Sequence, residues 1–300
     1  MAPRLDSTIT LPDGRRLAYA EYGVADGKPV FFFHGTPSSR LFAPDESATI
    51  AAGVRLIAPD RPGIGGSEIR EARRYGDWPQ DVIALADALQ IDRFAVVGWS
   101  SGGAYAAACA ALIPSRLTAA GIVSSRHLSQ YNFAERPAAH EELDAAERAE
   151  YELAQRDPRA AAEQAGRQSA GMVAKIQADP RSFSGPEKQP EGDRWFFADE
   201  SLAGPFYAAL SESVRQGTEG FRWELIDAWL PWGFRLDGIP MRVHFWHGAE
   251  DPRVPQKHVA FTVDRIPDCV LTTWPGVGHF GIAKHWSQVL AALTTAPSPT

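Results

Sequence analysis

Short apolar stretches recur along the first half of the chain, and most of them end at glycine, proline or a polar residue. Two stretches, at residues 8–10 and 16–22, flank the turn Pro12-Asp13-Gly14 and predict a β-hairpin. Continuous apolar runs are typical of strands that are buried on both faces of a parallel sheet. Such runs predict strands at residues 30–33, 94–97 and 119–123, and further strands are predicted at residues 55–58, 241–246 and 270–273.

Helical spacing separates several of these runs. An apolar stripe at residues 82–89 predicts a helix, and Asp77 followed three residues later by Gln80 predicts a capping box at its start. Further helices are predicted at residues 104–112, 256–263 and 279–293. Strands that alternate with helices predict an α/β fold, with a mostly parallel sheet covered by helices on both faces.

The alternation stops between residues 127 and 234, where helical patterns and loops occur without a convincing strand. A single crossover helix with its loops needs about 30 residues, so this segment is too long to be one. We therefore predict a helical cap at residues 127–236, inserted into a core formed by residues 1–126 and 237–300. Within the cap, the proline- and glycine-containing stretch 179–194 predicts an irregular loop.

Composition and charge exclude several classes of function. The formal net charge is −7, whereas non-specific nucleic-acid binding requires a basic face, so no nucleic-acid partner is expected. No apolar run reaches 18 residues and the first six residues lack a signal-peptide core, so we expect a cytoplasmic protein without a membrane partner. Cys109 and Cys269 are too far apart in sequence for a disulfide scaffold or a zinc site, and no metal is expected.

The segment Gly98-Trp99-Ser100-Ser101-Gly102 carries the first candidate for chemistry. It follows a predicted buried strand and precedes an alanine-rich helix, and it has the spacing Gly-x-Ser-x-Gly. A serine at a sharp strand-to-helix turn adopts a strained backbone that requires small neighbours, and its hydroxyl then lies at the helix N-terminus. By itself this pattern is often only the start of a helix. Ser100 is therefore a candidate nucleophile that needs partners.

A serine nucleophile needs a base to take its proton and a carboxylate to orient that base. On a parallel sheet the order serine, acid, histidine is expected, each residue following a strand. Asp251 follows the strand predicted at 241–246, with Glu250 as the alternative acid, and His279 follows the strand predicted at 270–273. Asp251 or His279 alone could simply belong to a turn. Turns alone do not readily explain three such residues in this order, each after a predicted strand. We predict that Ser100, Asp251 and His279 form a catalytic triad.

An acyl-transfer site also needs two donors for the oxyanion. The backbone N–H of Ser101, directly after the nucleophile, is one candidate. The second is expected in the loop after the strand at 30–33, where Thr36 follows His34-Gly35. Pro37 has no N–H, which leaves Thr36 as the candidate donor.

Together these segments resemble the capped α/β-hydrolases of the large bacterial esterase and lactonase-like group. The resemblance covers most of the core but little of the cap, and it implies hydrolysis through an acyl-enzyme without a cofactor. Two residues depart from the pattern, Ser39 where relatives often have glycine and Ser101 where many have methionine or glycine. The matching segments are His34-Gly35-Thr36-Pro37, Asp60-Arg61-Pro62-Gly63-x-Gly65, the turn at Ser100, Pro231-Trp232-Gly233-Phe234, Trp246-His247-Gly248-x-x-Asp251 and Gly278-His279.

The substrate is constrained less sharply by the sequence. Trp99 and Phe280 are candidate substrate-binding residues beside the predicted triad. The cap is rich in aromatic residues, most of which are expected to pack internally while a few line an apolar pocket. The cap also carries more acidic than basic residues, an excess that is usually solvated but could repel anions or bind an amine.

These features favour a serine hydrolase that cleaves an ester or lactone bond of a moderately apolar small molecule. Hydrolysis of a C–C, thioester or N-terminal peptide bond would use the same triad and remains an alternative. A ligand-binding receptor that retains this fold is a second alternative. A monomer and a homodimer are both compatible with the sequence.

Overall fold

The central element of the protein is an eight-stranded sheet, seen in a computed structural model that describes residues 3–295. Its strand order is β1-β2-β4-β3-β5-β6-β7-β8; β2 pairs antiparallel with β1 and β4, and all other pairs are parallel. This confirms the predicted α/β fold with a mostly parallel sheet. The strands are β1 Leu5–Thr10, β2 Arg16–Gly23, β3 Lys28–Phe33, β4 Val54–Pro59, β5 Phe94–Trp99, β6 Leu117–Val123, β7 Val243–Gly248 and β8 Cys269–Trp274.

Helices flank the sheet on both faces. The helices of the chain are α1 Glu46–Ala51, α2 Trp78–Ala88, α3 Gly102–Leu112, α4 His127–Gln130, α5 Ala145–Arg156, α6 Pro158–Ala178, α7 Pro180–Ser184, α8 Glu191–Ala198, α9 Glu200–Ser213, α10 Gly217–Ile226, α11 Gln256–Arg265 and α12 Gly281–Thr294. Among the helices that pack on the sheet within residues 3–295, α1 was the one that the sequence did not predict. It has six residues and a single buried one, Thr49, so it leaves no apolar stripe in the sequence.

Two local predictions were wrong. Asp77 does not cap α2; its carboxylate instead accepts the N–H of Arg74, because a 3-10 turn precedes the helix. The stretch 179–194 is not an irregular loop, since it forms α7, a 3-10 turn and the start of α8. Asp179 caps α7 through the N–H groups of Arg181 and Ser182, and a proline stands at the first position of that helix, where it needs no N–H partner.

Apolar side chains from β3 alternate between two cores on opposite faces of the sheet. Phe31 and Phe33 pack in the core under α2 and α3, whereas Val30 and Phe32 pack in the core under α12. This period-two alternation explains why the run was continuously apolar in the sequence. The two cores fix the sheet rigidly, so the loops at the carboxyl ends of its strands can hold side chains in defined positions.

Residues 127–236, which we call the helical segment, contain helices α4 to α10 and no strand; all of them lie within the described part of the chain. The helical segment packs on the sheet through aromatic side chains. Phe196 and Phe206 contact Phe42, and Phe42 in turn lies against Trp99 beside Ser100. The division into a core and a separate cap domain stays a prediction; its outermost core residues, 1–2 and 296–300, lie outside the described range.

Candidate active site

Four loops that follow parallel strands meet at one edge of the sheet. Thr36 follows β3, Ser100 follows β5, Asp251 follows β7 and His279 follows β8. A cavity of about 400 Å³ opens at this edge, and Thr36, Ser100, Ser101 and His279 all line it; we call it the Ser100 cavity. The strand topology thus brings together residues that are up to 243 positions apart (36 to 279).

Ser100 has the strained backbone that its surroundings predicted. Its φ is +56°, in the left-handed region that is unfavourable for residues other than glycine. Its N–H donates to the carbonyl oxygen of Val123 at 2.9 Å, so the end of β6 holds the turn in place. The strain is therefore built into the sheet framework, and it is of the kind that concentrates at functional sites.

The glycine at position 102 allows the loop after β3 to approach this turn. A methyl group on Gly102 would overlap the carbonyl oxygen of Phe33 and lie 2.7 Å from that of His34. Both obstacles are backbone atoms of a buried strand end and cannot move aside cheaply. We expect Gly102→Ala to lower the free energy of unfolding, measured by urea denaturation, by about 2 kcal/mol or more, as for overpacking of a rigid core.

Gly171→Ala provides the matched control. Gly171 lies in α6, and an added methyl group there would have no atom within 4 Å. This change is expected to stabilise the protein by about 0.5–1 kcal/mol, since alanine loses less backbone entropy in a helix than glycine does. Equal effects of the two substitutions on urea unfolding would contradict the assigned role of Gly102.

Asp251 and His279 form a buried hydrogen-bonded pair. His279 Nδ1 lies 2.7 Å from Asp251 Oδ2, and the other carboxylate oxygen accepts the N–H of Arg253 at 2.9 Å. Burial alone would raise the pKa of Asp251, but the imidazole and these hydrogen bonds outweigh it and lower the pKa. Glu250, the alternative acid, is exposed and makes no such contact with His279 in the described structure. A carboxylate facing Nδ1 fixes the proton on that nitrogen and leaves Nε2 as a base.

Hydrogen bonds to the backbone at residues 279 and 280 also fix the position of His279. Its carbonyl oxygen accepts the indole N–H of Trp99 at 3.0 Å, and the N–H of the next residue, Phe280, donates to Asp193 at 2.9 Å. Ser100 Oγ and His279 line the same cavity but share no hydrogen bond among the described residues. Contacts of this kind are often long in ligand-free enzymes and tighten only when substrate is bound.

The two candidate oxyanion donors lie on neighbouring loops. The hydroxyl oxygens of Thr36 and Ser101 are 2.7 Å apart, which ties the loop after β3 to the start of α3. In the described part of the chain, the backbone N–H groups of Thr36 and Ser101 have no hydrogen-bond acceptor. Both groups are therefore available to a ligand beside Ser100.

A buried ion cluster supports the Thr36 loop from below. Arg61 donates to the carbonyl oxygens of His34 at 2.6 Å and Gly35 at 3.1 Å, and to Thr36 Oγ1 at 3.0 Å. Its guanidinium also pairs with Glu224 of α10, whose carboxylate accepts the Thr36 hydroxyl. Because Thr36 donates to Glu224, it accepts the hydroxyl of Ser101. Glu224 thus links the helical segment directly to the loop of Thr36.

The cluster continues away from the cavity. Arg73 pairs with the second oxygen of Glu224 and with Asp227, and the hydroxyl of Tyr105 donates to Asp227. Burial opposes the charged form of Glu224, but Arg61 and Arg73 outweigh it and hold its pKa well below its usual range. Burial, reinforced by the charge of Glu224, instead raises the pKa of Asp227. The cluster is a structural anchor that the sequence analysis did not predict.

Comparison with known proteins identifies the family. A family model described as the alpha/beta hydrolase family matches residues 30–293. The chain belongs to the alpha/beta hydrolase family. Membership of this family supports a hydrolase activity, and it agrees with a fold in which the strained serine follows a central strand.

Individual relatives align with this alpha/beta hydrolase over a shorter stretch than the family model does. It is 35 % identical over 121 residues to a non-heme chloroperoxidase of Streptomyces lividans, covering 39 % of this chain and 44 % of that protein. It is 29 % identical over 119 residues to a bifunctional esterase/perhydrolase of Acinetobacter calcoaceticus, covering 39 % of this chain and 43 % of the relative. The chain therefore aligns with less than half the length of the curated relatives it matches.

A solved structure shares the overall fold. The bromoperoxidase of Bacillus anthracis superposes with a TM-score of 0.69 at 22 % identity, covering 96 % of this chain and 98 % of the other. At this identity the likeness concerns the fold alone.

The candidate substrate-binding residues Trp99 and Phe280 of this hydrolase both line the Ser100 cavity. Phe206, one of the aromatic residues of the helical segment, lines it as well. Phe183 and Leu210 also line it, although the sequence did not single them out. Most other aromatic residues of the segment pack internally, as Trp223 does. The aromatic richness of the segment is thus mainly structural.

A second cavity of about 480 Å³ adjoins the Ser100 cavity, and the two share Thr36 and His127. Its walls include the apolar side chains of Tyr131, Trp229 and Met172 and also four carboxylates, those of Glu147, Glu150, Glu224 and Asp227. No helix in the described range 3–295 is long and apolar enough to cross a membrane. Nor do His, Cys, Asp and Glu side chains within that range form a group of three or more that could hold a metal ion.

Proposed function

We propose that this alpha/beta hydrolase cleaves an ester or lactone bond of a moderately apolar small molecule through an acyl-enzyme. The observation that carries the proposal is the 2.7 Å pair between Asp251 and His279, on the cavity that the strained Ser100 also lines. A buried carboxylate that orients an imidazole beside a strained serine is the arrangement that activates a hydroxyl nucleophile.

In the proposed first half-reaction, Ser100 Oγ attacks the carbonyl carbon and His279 Nε2 takes the hydroxyl proton. Asp251 stabilises the imidazolium through Nδ1–H. The carbonyl oxygen becomes an oxyanion, for which the N–H groups of Thr36 and Ser101 are the candidate donors. Each such donor stabilises the transition state by about 3–4 kcal/mol. The intermediate then expels the alkoxide, which receives the proton from His279 and leaves as an alcohol.

In the second half-reaction, water replaces the alcohol. His279 takes a proton from the water as its oxygen attacks the acyl carbon, and it returns that proton to Ser100 Oγ as the acid leaves. One ester and one water thus give one acid and one alcohol, with the enzyme restored. No cofactor enters this scheme.

The cavities support a small substrate. Volumes of about 400 and 480 Å³ fall in the range of small-molecule pockets. The wall of the Ser100 cavity formed by Trp99, Phe206 and Phe280 suits an apolar portion next to the scissile bond. The adjoining cavity beyond Thr36 could hold the other portion of the same molecule.

A substrate panel tests the bond type. With 4-nitrophenyl butyrate, a γ-lactone, an acyl thioester and an aminoacyl 4-nitroanilide, we expect the ester or lactone to have the highest kcat/KM. Aminopeptidase activity without esterase activity would contradict the proposal in favour of a peptide bond. Absence of turnover together with failure of a fluorophosphonate to modify Ser100 would favour a ligand-binding protein instead.

A further inference from the structure

The charged side chains that line the Ser100 cavity are all cationic. They belong to Arg126, Lys188 and Arg253, and no aspartate or glutamate of the described residues lines this cavity. The protein as a whole has a formal net charge of −7, and its helical segment carries more acidic than basic residues. The lining of the cavity is therefore cationic although the protein as a whole is negatively charged. Such a local reversal of charge favours the binding of an anion.

The three cations differ in what neutralises them. Arg253 pairs with Asp193 at 2.6 Å and also donates to Gln189, so its charge serves to hold α8 against the loop of Asp251. The ammonium of Lys188 donates to the carbonyl oxygen of Ser182, which carries no compensating charge. Lys188 and Arg126 therefore remain as the uncompensated charges.

Arg126 is the cation best placed to meet a ligand. Its exposed guanidinium lies 3.5 Å, through Nη1, from the carbonyl oxygen of Arg253, and it also lies near the hydroxyl of Tyr131. Within residues 3–295 it forms no ion pair with a carboxylate. Arg126 also follows β6 closely, and the end of that strand, Val123, accepts the N–H of Ser100. The cation is thus anchored to the same framework as the candidate nucleophile.

The groups around Arg126 do not cancel its charge. Burial, together with the charge of Arg126, lowers the pKa of the neighbouring His127 to about 3, so that imidazole is neutral near pH 7. Apart from His279, the remaining lining of the Ser100 cavity is apolar or bears hydroxyl and amide groups, such as those of Ser184 and Gln189. A carboxylate that entered this cavity would therefore meet donors and no acid of the same lining, whereas the acids Glu147, Glu150, Glu224 and Asp227 line the adjoining cavity.

We propose that the substrate ester or lactone carries a carboxylate, bound at the mouth of the Ser100 cavity by Arg126 with support from Lys188. A guanidinium matches a carboxylate with two parallel N–H donors, which fixes the orientation of the substrate as well as attracting it. The inference rests on the proposed function and narrows its substrate class. The acidic excess of the helical segment does not extend to the lining of this cavity, whose charged side chains have the opposite sign.

Two pairs of matched esters test this inference. The first pair places the charge on the leaving group, 4-acetoxybenzoate against neutral 4-acetoxybenzamide. The second places it on the acyl chain, mono-4-nitrophenyl adipate against 4-nitrophenyl hexanoate. For each pair, the quantity compared is kcat/KM of the charged ester divided by kcat/KM of the neutral one. For the pair that places the carboxylate at Arg126, we expect Arg126→Ala to lower this ratio by about tenfold, which is the lower end for a charge-assisted hydrogen bond. Arg126→Lys should retain part of the preference.

Arg242→Ala is the matched control for charge. Arg242 directly precedes β7, at the opposite edge of the sheet, and pairs with Asp268 on the surface. Its loss removes the same charge and should leave both ratios unchanged. If Arg126→Ala changes neither ratio while the neutral esters are still hydrolysed, the carboxylate site is wrong although the hydrolase stands. If the wild-type protein hydrolyses none of the four esters, the proposed function itself fails.

Discussion

Replacing Ser100 with alanine is expected to lower kcat for 4-nitrophenyl butyrate by about 10⁴- to 10⁶-fold, as removal of a serine nucleophile does in other triads. The substitution removes one oxygen and leaves the Asp251–His279 pair without a hydroxyl to activate. The left-handed backbone at this position, with φ +56°, costs alanine about as much as serine. The loss of turnover should therefore reflect chemistry and not misfolding.

Ser101→Ala is the matched control, since it removes a hydroxyl from the adjacent residue. The backbone N–H of residue 101 is retained, and only the 2.7 Å contact with the Thr36 hydroxyl is lost. We expect a loss in kcat of about tenfold or less, consistent with one neutral hydrogen bond. A fluorophosphonate should modify the wild-type protein and Ser101→Ala, but not Ser100→Ala. Turnover by Ser100→Ala within tenfold of wild type would rule out Ser100 as the nucleophile.

Replacing Glu224 with alanine is expected to cost about 3–5 kcal/mol of the free energy of unfolding, because it leaves two buried guanidiniums without their shared carboxylate. Arg61, Arg73 and Glu224 are each no more than 6 % exposed, so the two guanidiniums have little contact with bulk water. The Thr36 hydroxyl loses its acceptor at the same time. We therefore expect a large decrease in kcat and a smaller change in KM. A less ordered Thr36 loop should weaken stabilisation of the transition state more than it weakens substrate binding.

Glu219→Ala provides the control on the same helix. Glu219 pairs with Arg222 one turn away, and its side chain is 68 % exposed. Surface pairs of this kind contribute little, so its loss should change urea unfolding by no more than about 0.5 kcal/mol. If Glu224→Ala does not accumulate as folded protein, Glu224→Gln keeps the shape of the side chain and can be measured instead. Equal unfolding free energies for the Glu219 and Glu224 variants would refute the anchoring role.

The central strands were accessible from sequence because burial on both faces leaves a continuous apolar run. The run at Phe31–Phe33 is an example, since β3 lies between β4 and β5 and packs helices on both sides. Helix α1 was missed because six residues with one buried side chain leave no periodic signal. The cap on α2 was misjudged because Asp77 is engaged by Arg74 in the preceding turn, a competition that spacing does not reveal.

Ser100, Asp251 and His279 could be nominated from sequence because each follows a recognisable strand. Parallel strands end at the same edge of a sheet, so the order of these elements already implies that the three loops converge. The choice between Asp251 and Glu250 was less secure, since both follow β7. Only the structure shows which carboxylate lies 2.7 Å from His279 and which points to solvent.

The contacts of the helical segment with the site depended on tertiary structure. Glu224 lies 163 residues from Arg61, and Asp193 lies 87 residues from the Phe280 N–H that it accepts. Nothing in the local sequence distinguishes these acids from the solvated ones around them, because their partners are chosen by how α8 and α10 pack on the sheet. The same holds for the cationic lining of the Ser100 cavity, since a count of charges along the chain indicates only that the helical segment is acidic.

The sequence by itself determined the α/β fold and nominated the residues for acyl chemistry, because strand periodicity and turn residues are local properties of the chain. Tertiary structure alone decided which acid meets His279, what supports the loop of Thr36 and which charges line the Ser100 cavity. These outcomes depend on distances between residues far apart in sequence. Such distances are set by the packing of the helical segment on the sheet.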